Sequence, residues 1–488
     1  MDFEIIFEFL KTWYWVPVVM LYVGAIITIL IQNRNPTKTV AWMMVIVFVP
    51  VLGLLIYYFF GRRFTKKAVF RRRHEKEFHS FFVQLSEFEN HFLKRLENGL
   101  DKNNRFKSLF TYLFNEKVSF SLDKNHVKLL KDGNEKFKSL FEDIRNAKRY
   151  IHLEYYIFED DPLSQRLLET LAEKVEEGVE VRIIMDGLGS NPSIRFLRKI
   201  RALGIQCTVF LPIKFTYLAD SNYRNHRKVI VIDDEIGYVG GINIAIKYYN
   251  QDDDSIYWRD TSIRIVGDAV FNLEIQFAIT WHFTKGESYI LNSPPSFFSS
   301  ESIYDGPSVV GFSWCGPSSE APYCLETIII AIQKARRSIR ICTPYFVPDE
   351  ALLSALSIAA ASGVEVSLIV PESGDSKIVQ WASNSFYKPL LKRGVNIYQY
   401  KKGFMHAKTM VIDESLSMVG TVNMDLRSFY INFEVASWIE DEAFAASMNE
   451  LFLEDLKDAE LIDLKEWTKR KWYIRSVESV CRLLAPIL

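Results

Sequence analysis

The polarity of the chain changes character three times. Thr12 to Gln32 and Thr39 to Gly61 contain no Asp, Glu, Lys, Arg or His, and each run is about the length that crosses a bilayer, roughly 20 residues. Trp13, Tyr14 and Trp15, with Trp42, Tyr57 and Tyr58, suit interfacial anchoring. The pattern predicts a transmembrane hairpin over residues 1–61, with spans about 12–32 and 39–61. A secretory signal fits less well, because no small-residue cleavage site follows and a second apolar run does. Residues 62–110 then read as a basic juxtamembrane neck, helical from about Ala68 to Asn104.

Beyond the neck, short apolar runs alternate with amphipathic periods. Ile151 to Phe158 reads as a buried strand, Ser164 to Glu177 as a helix, and Val179 to Asp186 as a strand leading into Gly187-Leu188-Gly189. The order recurs in Ile339 to Pro348, Asp349 to Ala361 and Val364 to Val370. Strand, helix, strand in each half predicts an α/β fold with helices on both sheet faces. The two repeats are placed at 111–290 and 311–460, with a Ser/Pro-rich linker at 291–310, and are expected to pack as a pseudo-dimer. In residues 461–488, Ile474, Val477, Val480, Cys481 and Leu484 share one helical face beside Arg475 and Arg482. Two readings of this amphipathic segment stand: a helix lying on a membrane, or one docked against the body.

Composition narrows the class. Fifty-nine basic residues balance 60 acidic ones, so no global field points to nucleic acid. Arg62, Arg63, Lys66, Lys67, Arg71, Arg72, Arg73 and Lys76 follow the second apolar run, against only Arg34 and Lys38 in the turn. The positive-inside rule then places the body in the cytoplasm, and anionic headgroups would attract the same cluster. Cys207, Cys315, Cys324, Cys342 and Cys481 show no framework spacing and read as reduced, buried thiols. Asp252-Asp253-Asp254 reads as a solvated loop, and Gly187-Leu188-Gly189 as a turn near a pocket mouth. His74, His79, His91, His126, His152 and His282 read as ordinary surface or core histidines.

The chemistry lies in a duplicated motif. His226-x-Lys228, Asp233, Gly240-Gly241 and Asn243 recur at identical spacing as His406-x-Lys408, Asp413, Gly420-Thr421 and Asn423. Two full copies imply one site built from both. His226 to Ile232 reads as a strand, on which His226 and Lys228 share a face. Gly240 and Gly241, lacking a Cβ, would let an anion approach the backbone. The inventory suits a phosphodiester: Lys228, Lys408, Asn243 and Asn423 hold the non-bridging oxygens, while one imidazole attacks phosphorus and the other handles the proton. No His-Glu-x-x-His or paired Cys-x-x-Cys occurs, and the chemistry calls for no metal or other cofactor. A carboxylate must fix each imidazole tautomer; Asp260 and Glu434 are the candidates. Asp233 and Asp413, grouped with the catalytic set by the motif, are expected to brace a lysine or the turn.

These motifs resemble those of the phospholipase D superfamily, the HKD proteins. With Ile151 to Phe158, Asn225, Trp258-Arg259-Asp260 and Arg427 to Val435, they are similar to bacterial cardiolipin synthases across nearly the whole chain. The resemblance implies two phospholipase D-like α/β/α sandwich repeats, with His226 as nucleophile and His406 as general acid/base. It also implies a multi-pass protein of the bacterial plasma membrane that joins two phosphatidylglycerol molecules into cardiolipin and glycerol. Phosphatidylglycerol and other anionic phospholipids would be its partners, with no nucleic acid; a homo-oligomer is compatible. The motif alone does not separate this from a hydrolytic phospholipase D or a transferase to another alcohol.

Overall fold

The computed structural model describes residues 12–13, 15–31, 36–49, 51–57, 104–212, 222–250, 256–286 and 302–485. Most of the neck, the Asp252-Asp254 run and linker residues 291–301 lie outside the described residues, as do His74, His79 and His91.

The alternation read from the sequence becomes one 15-stranded sheet in which the two repeats are laid out alike. From the middle outward, the first repeat runs Leu122–Leu130, Ser262–Val266, Ile236–Gly240, Lys228–Ile232, Tyr150–Tyr155, Glu180–Asp186 and Gln206–Phe210. The second runs Ser308–Cys315, Glu434–Glu440, Leu416–Gly420, Thr409–Ile412, Ser338–Cys342, Glu365–Pro371 and Asn396–Tyr400, with Ala459–Leu461 at its edge. Leu122–Leu130 and Ser308–Cys315 pair antiparallel where the halves join. Tyr150–Tyr155, Glu180–Asp186 and Gln206–Phe210 run parallel, as do Ser338–Cys342, Glu365–Pro371 and Asn396–Tyr400, as their helical crossovers require, while Ala459–Leu461 pairs antiparallel at the edge.

Local signals set the crossovers. Asp161 and Ser164 form a capping box with Pro162 in the first turn of Pro162–Glu176, and Asp349 caps Glu350–Ala361. One sheet face of the first repeat is covered by Phe137, Leu140, Leu167, Leu171, Phe196 and Ile200. The helices Tyr323–Lys334, Glu350–Ala361 and Lys377–Leu391 cover the matching face of the second. Across the other face lie Val270–Lys285 and Glu442–Lys457, through Phe271, Leu273, Phe444 and Met448. Fully burying one such side chain stabilises by about 1.5–3 kcal/mol. The helix Val270–Lys285 has no polar stripe: Glu274 and Trp281 are both buried in it, so a periodicity reading passes over it.

Two boundaries differ from the expectation. Helix Lys107–Asn115, which straddles residue 110, puts Phe106, Leu109, Phe110 and Leu113 into the core of the second repeat. Strand Ser308–Cys315 begins inside the expected linker. At the carboxy end, Trp472–Leu483 packs on Lys377–Leu391 and buries Cys481 and Ala485 in the second-repeat core. All five cysteines are buried and unpaired, and His152 is buried against Glu274 at 2.9 Å.

The described residues between 12 and 57 belong to a separate unit. Its helices are Trp15–Ile31, Pro36–Phe48 and Leu52–Ile56, packed through Ile29, Ile46 and Tyr57. The expectation of two full spans is not met: among the described residues no helix is long and apolar enough to cross a membrane. Trp15–Ile31 has 17 residues, about 25 Å at 1.5 Å per residue. The second run is interrupted between Pro36–Phe48 and Leu52–Ile56, where Val51 adopts a φ of 64°.

Candidate active site

Each motif histidine lies ahead of its strand rather than in it. The strands open at Lys228 and Thr409, whereas the sequence predicted a strand beginning at His226. The backbone before each strand leaves its own sheet for the other repeat. His226 donates its N–H to the Phe433 carbonyl at 2.9 Å, and His406 donates to that of Arg259 at 2.7 Å. Asn225 bridges to Phe433, and Gly403–Met405 pairs with Tyr257–Arg259.

The side chains cross in the same way. His226 Nδ1 lies 2.9 Å from Glu434, and His406 Nδ1 lies 2.6 Å from Asp260. Each imidazole of one repeat therefore meets a carboxylate of the other. A carboxylate on Nδ1 holds the proton there and leaves Nε2 with its lone pair.

Burial and neighbouring cations set the charges. Burial, then Lys228 and Lys408, hold His226 well below the usual histidine range. Burial and Lys408 lower His406 to about 4 against the opposing pull of Asp260. Both imidazoles are thus neutral near pH 7. Burial lowers Lys408 to about 8, partly offset by Asp260 and Glu434, and pushes Lys228 down as well. Burial lifts Glu434 to about 7. Burial opposes ionisation of Asp260 too, but His406 and Lys408 prevail and keep it below the ordinary aspartate value. Lys408 acts on both histidines, so the two motifs share one electrostatic environment.

The remaining motif residues divide into two groups. Lys228 Nζ donates to the His226 carbonyl at 2.6 Å, and Lys408 to that of His406. Asn243 accepts the Ile157 N–H at 3.2 Å, whereas buried Asn423 Oδ1 has no hydrogen-bond partner among the described residues. Asp233 and Asp413 brace neither lysine. Asp233 accepts the backbone N–H groups of Lys148, Arg149 and Tyr150 at 2.7–2.9 Å, and Asp413 those of Arg336, Arg337 and Ser338 at 2.7–2.8 Å. They fasten the ends of strands Tyr150–Tyr155 and Ser338–Cys342.

The glycines also act differently from the expectation. A Cβ on Gly241 would collide with the Asp260 carboxylate, and one on Gly420 with the Val435 carbonyl. Their missing side chains make room for the neighbouring strand and for the carboxylate that orients His406. At the matching position Thr421 donates its hydroxyl to Glu434 at 2.5 Å.

Motif spacing did not single out the ring contacts. Tyr156 sits edge-on to His226 at 4.7 Å. His406 is walled by Trp258 at 5.3 Å, Phe404 at 5.8 Å and Tyr248 at 6.1 Å. Asn225 donates to buried Glu154 at 2.6 Å, and Arg227 meets the same carboxylate at 3.4 Å. Tyr156, Glu154 and Trp258 lie in segments the resemblance had picked out; Tyr248 and Phe404 carry no local signature.

A doubled α/β sheet with paired His-x-Lys segments crossing between its halves defines a phospholipase D-like enzyme. The phosphatidylserine synthase of Haemophilus influenzae shares this fold, with a TM-score of 0.61 at 14% identity over 79% of this chain and all of that one. The family described as “Cardiolipin synthase, PLD-like domain” matches residues 140–270 and 328–456, and “Phospholipase D-nuclease N-terminal” matches 20–62. A cardiolipin synthase of Clostridium perfringens is 36% identical, covering 94% of this chain and 96% of its own length. The major cardiolipin synthase of Bacillus subtilis is 38% identical, covering 95% and 96%. The chain belongs to the cardiolipin synthases, phosphatidyltransferases of the phospholipase D superfamily.

Proposed function

We propose that the protein joins two phosphatidylglycerol molecules into cardiolipin and glycerol through a phosphohistidine. The observation that carries this reading is the crossed pair, in which each histidine of one repeat is oriented by a carboxylate of the other.

In the first step His226 Nε2 attacks the phosphorus of one lipid. A P–N bond forms, the P–O bond to the headgroup glycerol breaks, and His406 gives that oxygen a proton. The free site holds His406 neutral, so the anionic phosphodiester must raise its proton affinity on binding. Lys228, Lys408 and the two Asn amides balance the charge on the non-bridging oxygens. In the second step His406 takes a proton from the terminal hydroxyl of the second lipid. That oxygen attacks phosphorus and releases His226. Glu434 and Asp260 stabilise the positive charge each imidazole acquires in turn.

The aromatic wall around His406 supports an alcohol over water as acceptor, since it removes aqueous volume from the residue that activates the nucleophile. The apolar hairpin supports a membrane setting, with the body on the cytoplasmic side according to the Arg62–Lys76 cluster. Association with the bilayer raises the effective concentration of both lipids.

The test is the purified full chain in phosphatidylglycerol bilayers. Wild type should form cardiolipin and glycerol in equal amounts, and 32P-labelled donor lipid should trap label on His226. His226→Ala should form neither product nor adduct. Phosphatidic acid as the main product, or unchanged synthesis by the variant, defeats the proposal.

A further inference from the structure

The edge of the sheet that carries the histidines also carries a surface the reaction scheme does not use. Strand Glu180–Asp186 ends beside the first motif, where Asp186 accepts the backbone N–H of Asn225 at 2.9 Å. The chain leaves through a turn in which the Leu188 and Gly189 N–H groups bond the other Asp186 oxygen. Leu188 projects from this turn, 44% exposed. Helix Ile194–Ala202 follows, capped by Ser193, and its first residue, Ile194, is 69% exposed. The helix buries Phe196 and Ile200 and contains no acidic residue. Arg195, Arg198 and Lys199 are exposed, and no carboxylate among the described residues pairs with them.

The second repeat places a related surface at its own motif. Thr343 receives the N–H of Met424, next to Asn423, and its own N–H bonds the end of strand Glu365–Pro371. That strand leads to helix Lys377–Leu391, whose opening turn exposes Ile378 and Trp381 to 44% and 38%.

We propose that Leu188, Ile194 and the basic face of helix Ile194–Ala202, with Ile378 and Trp381 across the site, seat the catalytic body on an anionic bilayer. This rests on the reading that the substrates are bilayer phospholipids. Three exposed cations complement anionic headgroups, and the apolar side chains beside them reach the acyl boundary. A nucleic acid would use the cations but leave Leu188 and Ile194 without a partner. The helix is too short and too charged to insert, so it lies at headgroup depth. The mouth between the two rims then opens at the level of the scissile phosphates, and neither lipid must leave the bilayer to react.

All five native cysteines are buried, which permits selective labelling of full-length Ile194→Cys with an environment-sensitive fluorophore. In bilayers containing phosphatidylglycerol its emission should shift to the blue and be quenched by brominated lipid. The same label at Glu173→Cys, on the acidic helix Pro162–Glu176, should do neither, and phosphatidylcholine alone should give the Ile194 label a smaller shift. The triple variant R195E/R198E/K199E should lose at least about tenfold in kcat/KM on bilayers, a change of about 1.4 kcal/mol, while matching wild type in mixed micelles of short-chain phosphatidylglycerol. A water-exposed label at Ile194 in phosphatidylglycerol bilayers, a shift induced only by an oligonucleotide, or equal loss in bilayers and micelles overturns the surface. Cardiolipin synthesis with a water-exposed label defeats this inference alone. A buried label on a protein that makes no cardiolipin defeats the functional reading alone.

Discussion

In the proposed route His226 attacks and His406 carries the proton, each through Nε2, while a carboxylate of the other repeat lies on each Nδ1. Asp260→Asn should leave the His406 imidazole in place but remove the charge that fixes the tautomer of this acid/base. Its kcat should fall about 10²–10⁴-fold, the usual contribution of a positioned acid/base, with the melting temperature nearly unchanged. A loss confined to KM would assign Asp260 to binding instead. The lysines add a pH dependence. Lys408, lowered to about 8 by burial, is charged below that pH and neutral above it, so phosphate binding weakens on the alkaline side. The kcat/KM profile, which reports the free enzyme, should show a basic limb near pH 8. A profile flat to pH 10 would remove Lys408 from phosphate binding. The sequence made His, Lys and both carboxylates visible through their spacing. It did not show the crossing, because local spacing says nothing of which repeat supplies the partner to a given imidazole.

Among the elements, the hairpin glycines make room for neighbouring groups, and the strand-end carboxylates hold the backbone. Gly241 leaves the space that Asp260 fills. Gly241→Ala should displace that carboxylate and cost on the order of 10²-fold in kcat, since a shift near 1 Å in a catalytic group has that effect. His226 should still accept label, only more slowly because His406 also protonates the leaving group, and complete loss of the adduct would show a wider disruption. Asp413 serves the fold. It accepts three backbone N–H groups and pairs with Arg105. Although burial opposes its ionisation, those bonds and Arg105 keep it below the ordinary aspartate value. Asp413→Ala should destabilise by roughly 1–3 kcal/mol, the cost of stranded polar groups, and keep most of its activity at low temperature. A thermally stable but inactive variant would restore Asp413 to the chemistry. The periods of two and 3.6 residues made most strands and crossover helices legible. They failed for Val270–Lys285, whose polar residues form no single stripe, and for the second apolar run, where the φ of Val51 breaks a stretch that composition alone presents as continuous.

At the scale of the whole molecule, the repeats are joined by more than a shared linker. Leu122–Leu130 and Ser308–Cys315 make the sheet continuous, and the segments ahead of the motif strands pair across the seam. Most of the site's polar groups are buried, so separating the halves would expose apolar sheet and strand charged groups that now compensate one another. Exchange of repeats between chains is therefore costly, and one chain should contain one complete site. Mixing full-length His226→Ala with full-length His406→Ala tests this directly, because a swapped pair would contain one site with both histidines intact. Activity of the mixture, made by co-reconstitution or by co-expression, should stay at the background of the separate variants. Recovery on co-expression would show that the crossed pairs form between chains and that a dimer is the catalytic unit.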